Sequence, residues 1–377
     1  MFISSRRIYT EHGIVDGVLE VRGNEFGKII PRADFQGKVD MVLDDKIVIP
    51  GLIDIHLHGY GGFIDDNKPF TTQALEGLLR VLALNGTTSC SPSLQEDMYP
   101  LIKTYQQSPQ VAKLLGLTLE GRFSTESYTF FREQFKNVKD LSVDYLKELN
   151  ETCGYKLRYV MIAPELPEAQ EAMRYLRTNG IKVSAGHTLM SAEDFKVFNQ
   201  EGLIDALTHT GNNMGQMHQR NVGVMGVGLL DPNVYAEIIT DFIHVGKEML
   251  SIILKVKGYK KTILVSDSTY LGGSKPGKYY IQGLEMTITD DHKILDPQGW
   301  IQGCYYPLFL NTRKLIQNGL ATLEEAIIMG ALNPAKLLGI DAKTGSIASG
   351  KAADFLILDE DMNLEQTYID GKPVKMN

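Results

Sequence analysis

Apolar runs that end in a histidine or a carboxylate recur through the middle of the chain. They read IDIHLH (53–58), TTSCSPSL (87–94), LGLTLEG (115–121), YVMIAPE (159–165), KVSAGH (182–187), ALTHT (206–210), AEIITD (236–241) and TILVSDS (262–268). Short β-rich runs of this kind predict eight strands. The stretches between them carry a helical period. Leu75, Leu78, Leu79 and Leu82 share one face ahead of Gly86, and Met249, Ile252, Ile253 and Val256 repeat that spacing ahead of Gly258. Ser191 with Asp194 reads as an N-cap, and Thr322 with Glu325 as a capping box. Strands alternating with helices predict an α/β fold, a (β/α)8 barrel of the TIM type over residues 50–343, with a doubly wound sheet as the alternative. HGYGGF (58–63) lacks the GxGxxG turn expected of the latter. Residues 269–300 read as an insertion with a hairpin at MTITDDHKIL. Residues 1–49 and 344–377 show only short strand-like runs and Gly-rich turns, which predicts a small β-sandwich domain built from both chain ends.

Composition narrows the class. The 377 residues are 43% hydrophobic and 22% charged, enough apolar material for a large core. A formal net charge of −8 disfavours a nucleic-acid partner, because phosphate backbones select basic faces. Cys90, Cys153 and Cys304 are far apart and form no CxxC, which fits a reducing compartment. No apolar leader and no run of about 18 apolar residues is visible, so the expectation is a cytoplasmic chain without a membrane partner.

The polar residues at the strand ends then matter most. His56 and His58 are two apart, so on a strand both face the same side. Glu120, His187, His209 and Asp267 close four other predicted strands. Any one of them alone is more often a hydrogen-bonded structural residue, or an ion-pair partner, than a ligand. Four histidines and two carboxylates converging at the C-terminal end of one barrel would be costly unless they bind something. Neutral imidazole and carboxylate are the ligands of zinc or non-haem iron.

The motifs PGLIDIHLHG, TLEG, APE, SAGHT, THTGNNM, IHV, VSDS and GKAADF follow in order nearly the whole length of the chain. In that order the chain resembles the metal-dependent amidohydrolase superfamily and, within it, the N-acetylglucosamine-6-phosphate deacetylase family. The resemblance implies a divalent metal, one or two ions per subunit, with zinc or iron as the candidates. Glu120, His187 and His209 match the family's main ligands. His56 and His58 match a pair that some members use for a second ion, with Glu120 bridging. Asp267 matches the general acid/base. Asn212, Asn213, Arg220, His244 and the loop Ile301, Gln302 and Gly303 match substrate-contacting positions. A homodimer and a small amino sugar phosphate substrate are implied in the same way.

The chain also departs from the family pattern. EGPF becomes Glu120-Gly121-Arg122-Phe123, and the stretch STESYTFFREQF lacks the family's pocket histidine, leaving Arg132 or Tyr128 as substitutes. Phe242 stands where the family has glycine, and IQGC replaces a smaller loop. These changes keep three readings open. One is deacetylation of N-acetylglucosamine-6-phosphate or its galactosamine epimer. The second is another amidohydrolase activity, although YVMIAPE lacks the strand lysine of many two-metal relatives. The third is a non-catalytic sugar-phosphate binding protein. Glu165 reads either as a site residue or as a structural contact. His218, His12 and His292 read as surface residues, Trp300 as packing in the insertion, and LGGSKPGK (271–278) as a mobile loop.

Overall fold

The computed structural model describes residues 1–64, 68–125, 139–281 and 283–375. The expected strand runs form parallel strands: β6 (Leu52–Asp54), β7 (Thr87–Cys90), β8 (Lys113–Leu114), β9 (Leu117–Leu119), β10 (Leu157–Ile162), β11 (Lys182–Ala185), β12 (Ala206–Leu207), β13 (Tyr235–Ile238) and β14 (Thr262–Leu264). Each is shorter than its apolar run, because the polar residues at its C-terminal end turn away from the ladder. The third predicted strand, 115–121, is reduced to β9, and β8 precedes the predicted run, set apart from β9 by Leu115 and Gly116, whose φ is +145°. β6 to β8 form one parallel sheet and β9 to β14 another, so the architecture is α/β with a curled parallel sheet. At one seam Thr118 N donates to Pro92 O at 3.1 Å. At the other, Asp267 N donates to His56 O at 2.9 Å and His58 N to Ser268 O at 2.7 Å.

The two chain ends share one sheet. It contains β1 (Phe2–Thr10), β2 (Gly13–Arg22), β3 (Glu25–Pro31), β4 (Met41–Val42) and β5 (Ile47–Pro50), together with β18 (Phe355–Leu358), β19 (Leu364–Ile369) and β20 (Lys372–Pro373). β5 pairs with β18 antiparallel, Val48 opposite Ile357. Ile3, Ile8, Leu19, Val48 and Phe355 form a small core on this sheet. Lys113, at the edge of the parallel sheet, donates to Asp354 at 2.8 Å and to Asp370 at 2.6 Å, tying the two sheets together.

The helix Thr72–Leu84 buries all four of its predicted leucines, and the Thr322–Glu325 capping box is present. The helix Lys247–Lys257 corrects the expected face. Leu250 and Ile253 are its buried residues, while Ile252 and Val256 are exposed. Ile253 is buried as expected, and Leu250, one turn away on the same side, is the buried residue that a count starting at Met249 misses. The insertion holds the expected hairpin, β16 (Leu284–Ile288) with β17 (Ile294–Leu295), extended by β15 (Gly277–Ile281). Trp300 does not pack there; it is 72% exposed. Among the described residues no helix is long and apolar enough to cross a membrane.

Candidate active site

The site lies just past the C-terminal ends of the parallel strands. His56 and His58 follow β6 and lie beyond its ladder, contrary to the expected strand placement. Glu120 follows β9, His187 follows β11, His209 follows β12 and Asp267 follows β14. Three of these residues adopt left-handed backbone angles: His187 (φ +47°), His209 (φ +28°) and Asp267 (φ +50°). Non-glycine residues in that region are held there at a cost of about 1–3 kcal/mol each. The surrounding turns supply the restraint. Glu165, for example, accepts from Thr188 Oγ1 at 2.5 Å and Leu189 N at 2.8 Å, clamping the turn after His187. Gly186 lets that turn approach the next strand, because a Cβ there would lie 2.6 Å from Thr208 Cβ.

Glu120 sits at the centre. Its Oε1 lies 2.6 Å from His187 Nε2 and 3.5 Å from His209 Nε2, and its Oε2 lies 3.5 Å from His58 Nε2. Asp267 Oδ1 is 3.4 Å from His58 Nε2 and 3.6 Å from His56 Nε2. Two overlapping triads therefore present ligand atoms within 4.8 Å of one another: His56, His58 and Glu120, and Glu120, His187 and His209. All of these residues but the half-buried His58 are almost fully buried. The donor set, converging imidazole nitrogens around a carboxylate with no thiolate, suits a divalent metal.

The electrostatics follow from burial and proximity. Burial pushes the Glu120 carboxyl up, but His187, His209 and His58 outweigh it and hold it well below the usual range. Burial likewise opposes ionisation of Asp267, and His56 and His58 bring it down to about 2. Asp267 is thus a carboxylate at neutral pH, able to accept a proton.

Sequence reasoning missed Glu237 on β13. It is fully buried, and its Oε2 accepts from His56 Nδ1 at 3.1 Å and from His209 N at 3.2 Å. A carboxylate only accepts, so Nδ1 of His56 carries a proton, and Nε2 is the ring nitrogen left to face the site and available to a metal. Among the described residues His56 Nε2 has no hydrogen-bond partner. The signal was present: a charged residue inside the apolar run AEIITD.

A cavity of about 180 Å³ opens over this centre. His58, Glu120, His187, His209 and Asp267 line one end. Asn212, Asn213, His244, Ile301, Gln302 and Gly303 line it as expected, and so do apolar residues of the insertion. His244 Nδ1 donates to buried Asp241 at 2.7 Å. Arg220 differs from expectation: it sits on an exposed loop and does not line the cavity. Arg122 does not line it either. It is buried behind the Glu120 turn and donates to Glu96 at 2.7 Å. The substitutes proposed for the missing pocket histidine, Tyr128 and Arg132, lie outside the described residues. His218 and His12 are exposed, whereas His292 stacks on Tyr305 with ring centroids 4.2 Å apart and reaches the Tyr306 hydroxyl at 2.8 Å.

The family model described as the amidohydrolase family matches residues 47–374. The chain belongs to this family. Its relatives narrow the comparison. This amidohydrolase is 28% identical to N-acetylglucosamine-6-phosphate deacetylase of Vibrio furnissii, covering 99% of this chain and 94% of the relative. It is 27% identical to N-acetylgalactosamine-6-phosphate deacetylase of Escherichia coli O157:H7, covering 87% and 88%. Among solved structures, N-acetylglucosamine-6-phosphate deacetylase from Pasteurella multocida superposes with a TM-score of 0.89 at 25% identity, over 100% of this chain and 99% of that one.

Proposed function

We propose that this amidohydrolase removes the N-acetyl group of an amino sugar phosphate, with N-acetylglucosamine-6-phosphate as the substrate and acetate and glucosamine-6-phosphate as products. The carrying observation is the Glu120 carboxylate, which turns one oxygen to His187 and His209 and the other to His58, with Asp267 beside it. Glu120, His187 and His209 would hold a divalent metal, zinc or iron, with His56 and His58 available for a second ion, and the metal would supply Lewis-acid polarisation of the amide and acidification of water. Asp267 accepts the proton of the attacking water. The water oxygen bonds to the acetyl carbon, the C–N bond breaks, and Asp267 returns the proton to the leaving amine. Asn212, Asn213 and His244 orient the sugar, and Asp241 fixes the His244 ring.

The reading extends to architecture. The seam hydrogen bonds support closure of residues 50–343 into a (β/α)8 barrel, with 1–49 and 344–377 as a β-sandwich domain. It also includes a homodimer and a cytoplasmic location. We assign phosphate binding at such an interface to Arg220, which is exposed and outside the cavity of its own chain.

The galactosamine epimer is the second reading, favoured by the 27% identical relative of that name. The test is amine release from both sugar phosphates by purified protein, after chelation and after adding back zinc or iron. Metal-dependent release from the glucosamine compound supports the proposal. No release from either, with metal bound stoichiometrically, overturns it.

A further inference from the structure

Part of the cavity wall comes from the insertion and the loop that follows it. Between residues 277 and 303 its lining is Ile281, Leu284, Met286, Ile294 and Ile301, the backbone of Gly303, and two polar side chains, Asp296 and Gln302. Asp296 is only 6% exposed. Its Oδ1 accepts from Gln298 N at 2.9 Å and Trp300 N at 2.8 Å, and its Oδ2 accepts from Gln302 Nε2 at 2.9 Å. Three donors on one carboxylate leave it little capacity for a ligand. What it does instead is orient its neighbour. A carboxylate cannot donate, so the Gln302 amide must turn its NH2 toward Asp296, and Oε1 becomes the acceptor it offers elsewhere.

That acceptor is anchored with respect to the chemistry. Gln302 N donates to Ile294 O at 2.8 Å, and Cys304 N donates to Asp267 O at 2.8 Å. Between them Gly303 has φ +69°, and a Cβ there would lie 2.2 Å from the Thr269 side chain. Only glycine lets the loop press this closely against the Asp267 strand end. Charge also limits what the wall accepts. Among the described residues this wall presents apolar side chains and the acidic residue Asp296 rather than a lysine or arginine, which suits a neutral hydroxyl better than a phosphate.

We infer that Gln302, positioned by Asp296, is a specificity-determining residue whose Oε1 accepts a hydrogen bond from one ring hydroxyl of the substrate. This rests on the amino sugar reading above. In an apolar wall a substrate lacking that hydroxyl leaves the acceptor dry, which costs roughly ten- to a hundredfold in kcat/KM.

The experiment is a kinetic cycle on metal-loaded enzyme. Substrates are N-acetylglucosamine-6-phosphate, its galactosamine epimer, and the 1-, 3- and 4-deoxy and deoxyfluoro analogues. Enzymes are the wild type, Gln302→Met and Asp296→Asn, each checked for metal content and circular dichroism. On the wild type one deoxy analogue loses roughly ten- to a hundredfold. Its fluoro counterpart, which cannot donate, is equally poor. Gln302→Met abolishes that difference by slowing the parent sugar alone. In Asp296→Asn the new amide donates to Gln302 Oε1 and turns its NH2 to the cavity, so the fluoro analogue recovers against the deoxy one, a readout that loosened packing does not move. Unchanged discrimination in Gln302→Met, or a wild type that turns over the parent but distinguishes no analogue, overturns the inference. A wild type that turns over no acetamido sugar phosphate overturns the underlying deacetylase reading instead.

Discussion

His187 Nε2 faces His209 Nε2 at 3.0 Å, with Glu120 Oε1 2.6 Å from the first and 3.5 Å from the second. Two ring nitrogens aimed at each other repel unless a proton or a cation lies between them, and a divalent cation satisfies both together with the carboxylate. The expected outcome is at least one tightly held divalent ion per chain by elemental analysis. His187→Ala should lose it. Returning metal to the chelated wild type should stabilise the fold by about 4 kcal/mol at a thousandfold excess over Kd. A melting temperature indifferent to metal would count against the site.

Asp267 is assigned the proton transfers. Asp267→Asn keeps the shape and the metal but cannot accept a proton, so kcat should fall by roughly 10²–10⁴ while KM and metal content change little. A non-catalytic binding protein would show no such loss.

Glu237 touches no substrate and acts through the His56 ring and the His209 backbone. Glu237→Gln retains the volume but lets the His56 tautomer reverse. Metal affinity, measured by competition with a chromophoric chelator, should weaken roughly 10–100-fold. Unchanged affinity would make Glu237 a packing residue only.

Arg220→Ala should separate phosphate recognition from chemistry. The side chain is exposed, so stability should stay within about 0.5 kcal/mol of the wild type. KM should rise for phosphorylated sugars, with N-acetylglucosamine itself unaffected. Equal effects on both would remove Arg220 from phosphate binding, and light scattering on the same samples reports the dimer.

Lys113→Met removes the cation shared by Asp354 and Asp370 and leaves Asp354, 3% exposed, without its counter-charge. The loss in urea denaturation should be about 3 kcal/mol. Burial already holds the Asp354 carboxyl above its ordinary range. Protonation therefore favours the folded chain, and the deficit should shrink as pH falls from neutrality toward about 4. A deficit that grows over that interval would refute this account.

Much of this was legible in the sequence because strand ends and ligands coincide. His58, Glu120, His187, His209 and Asp267 could be picked out as polar residues closing apolar runs, and the fold brings all of them together. Glu237 escaped because it lies inside its run, where alternation alone does not say whether a carboxylate faces the site or a neighbouring layer. Asp296 escaped because its partner, Gln302, and the backbone donors of 298 and 300 are set by a turn, and turns carry no period. Arg220 kept the family's spacing, but spacing along a loop does not fix where the loop lies. Trp300 was expected to pack in the insertion, but it is exposed, as a single large apolar residue often is.

The pairing of β5 with β18 has a kinetic consequence. Val48 and Ile357 are neighbours in one sheet but about three hundred positions apart along the chain. During synthesis β1, β2, β3 and β5 emerge early and then wait, with one edge open, until the rest of the chain has been made. Non-local pairing of this kind slows folding and exposes a strand edge to other chains. Refolding should therefore be slow and sensitive to concentration, with the catalytic centre assembling before the sheet that flanks it is complete.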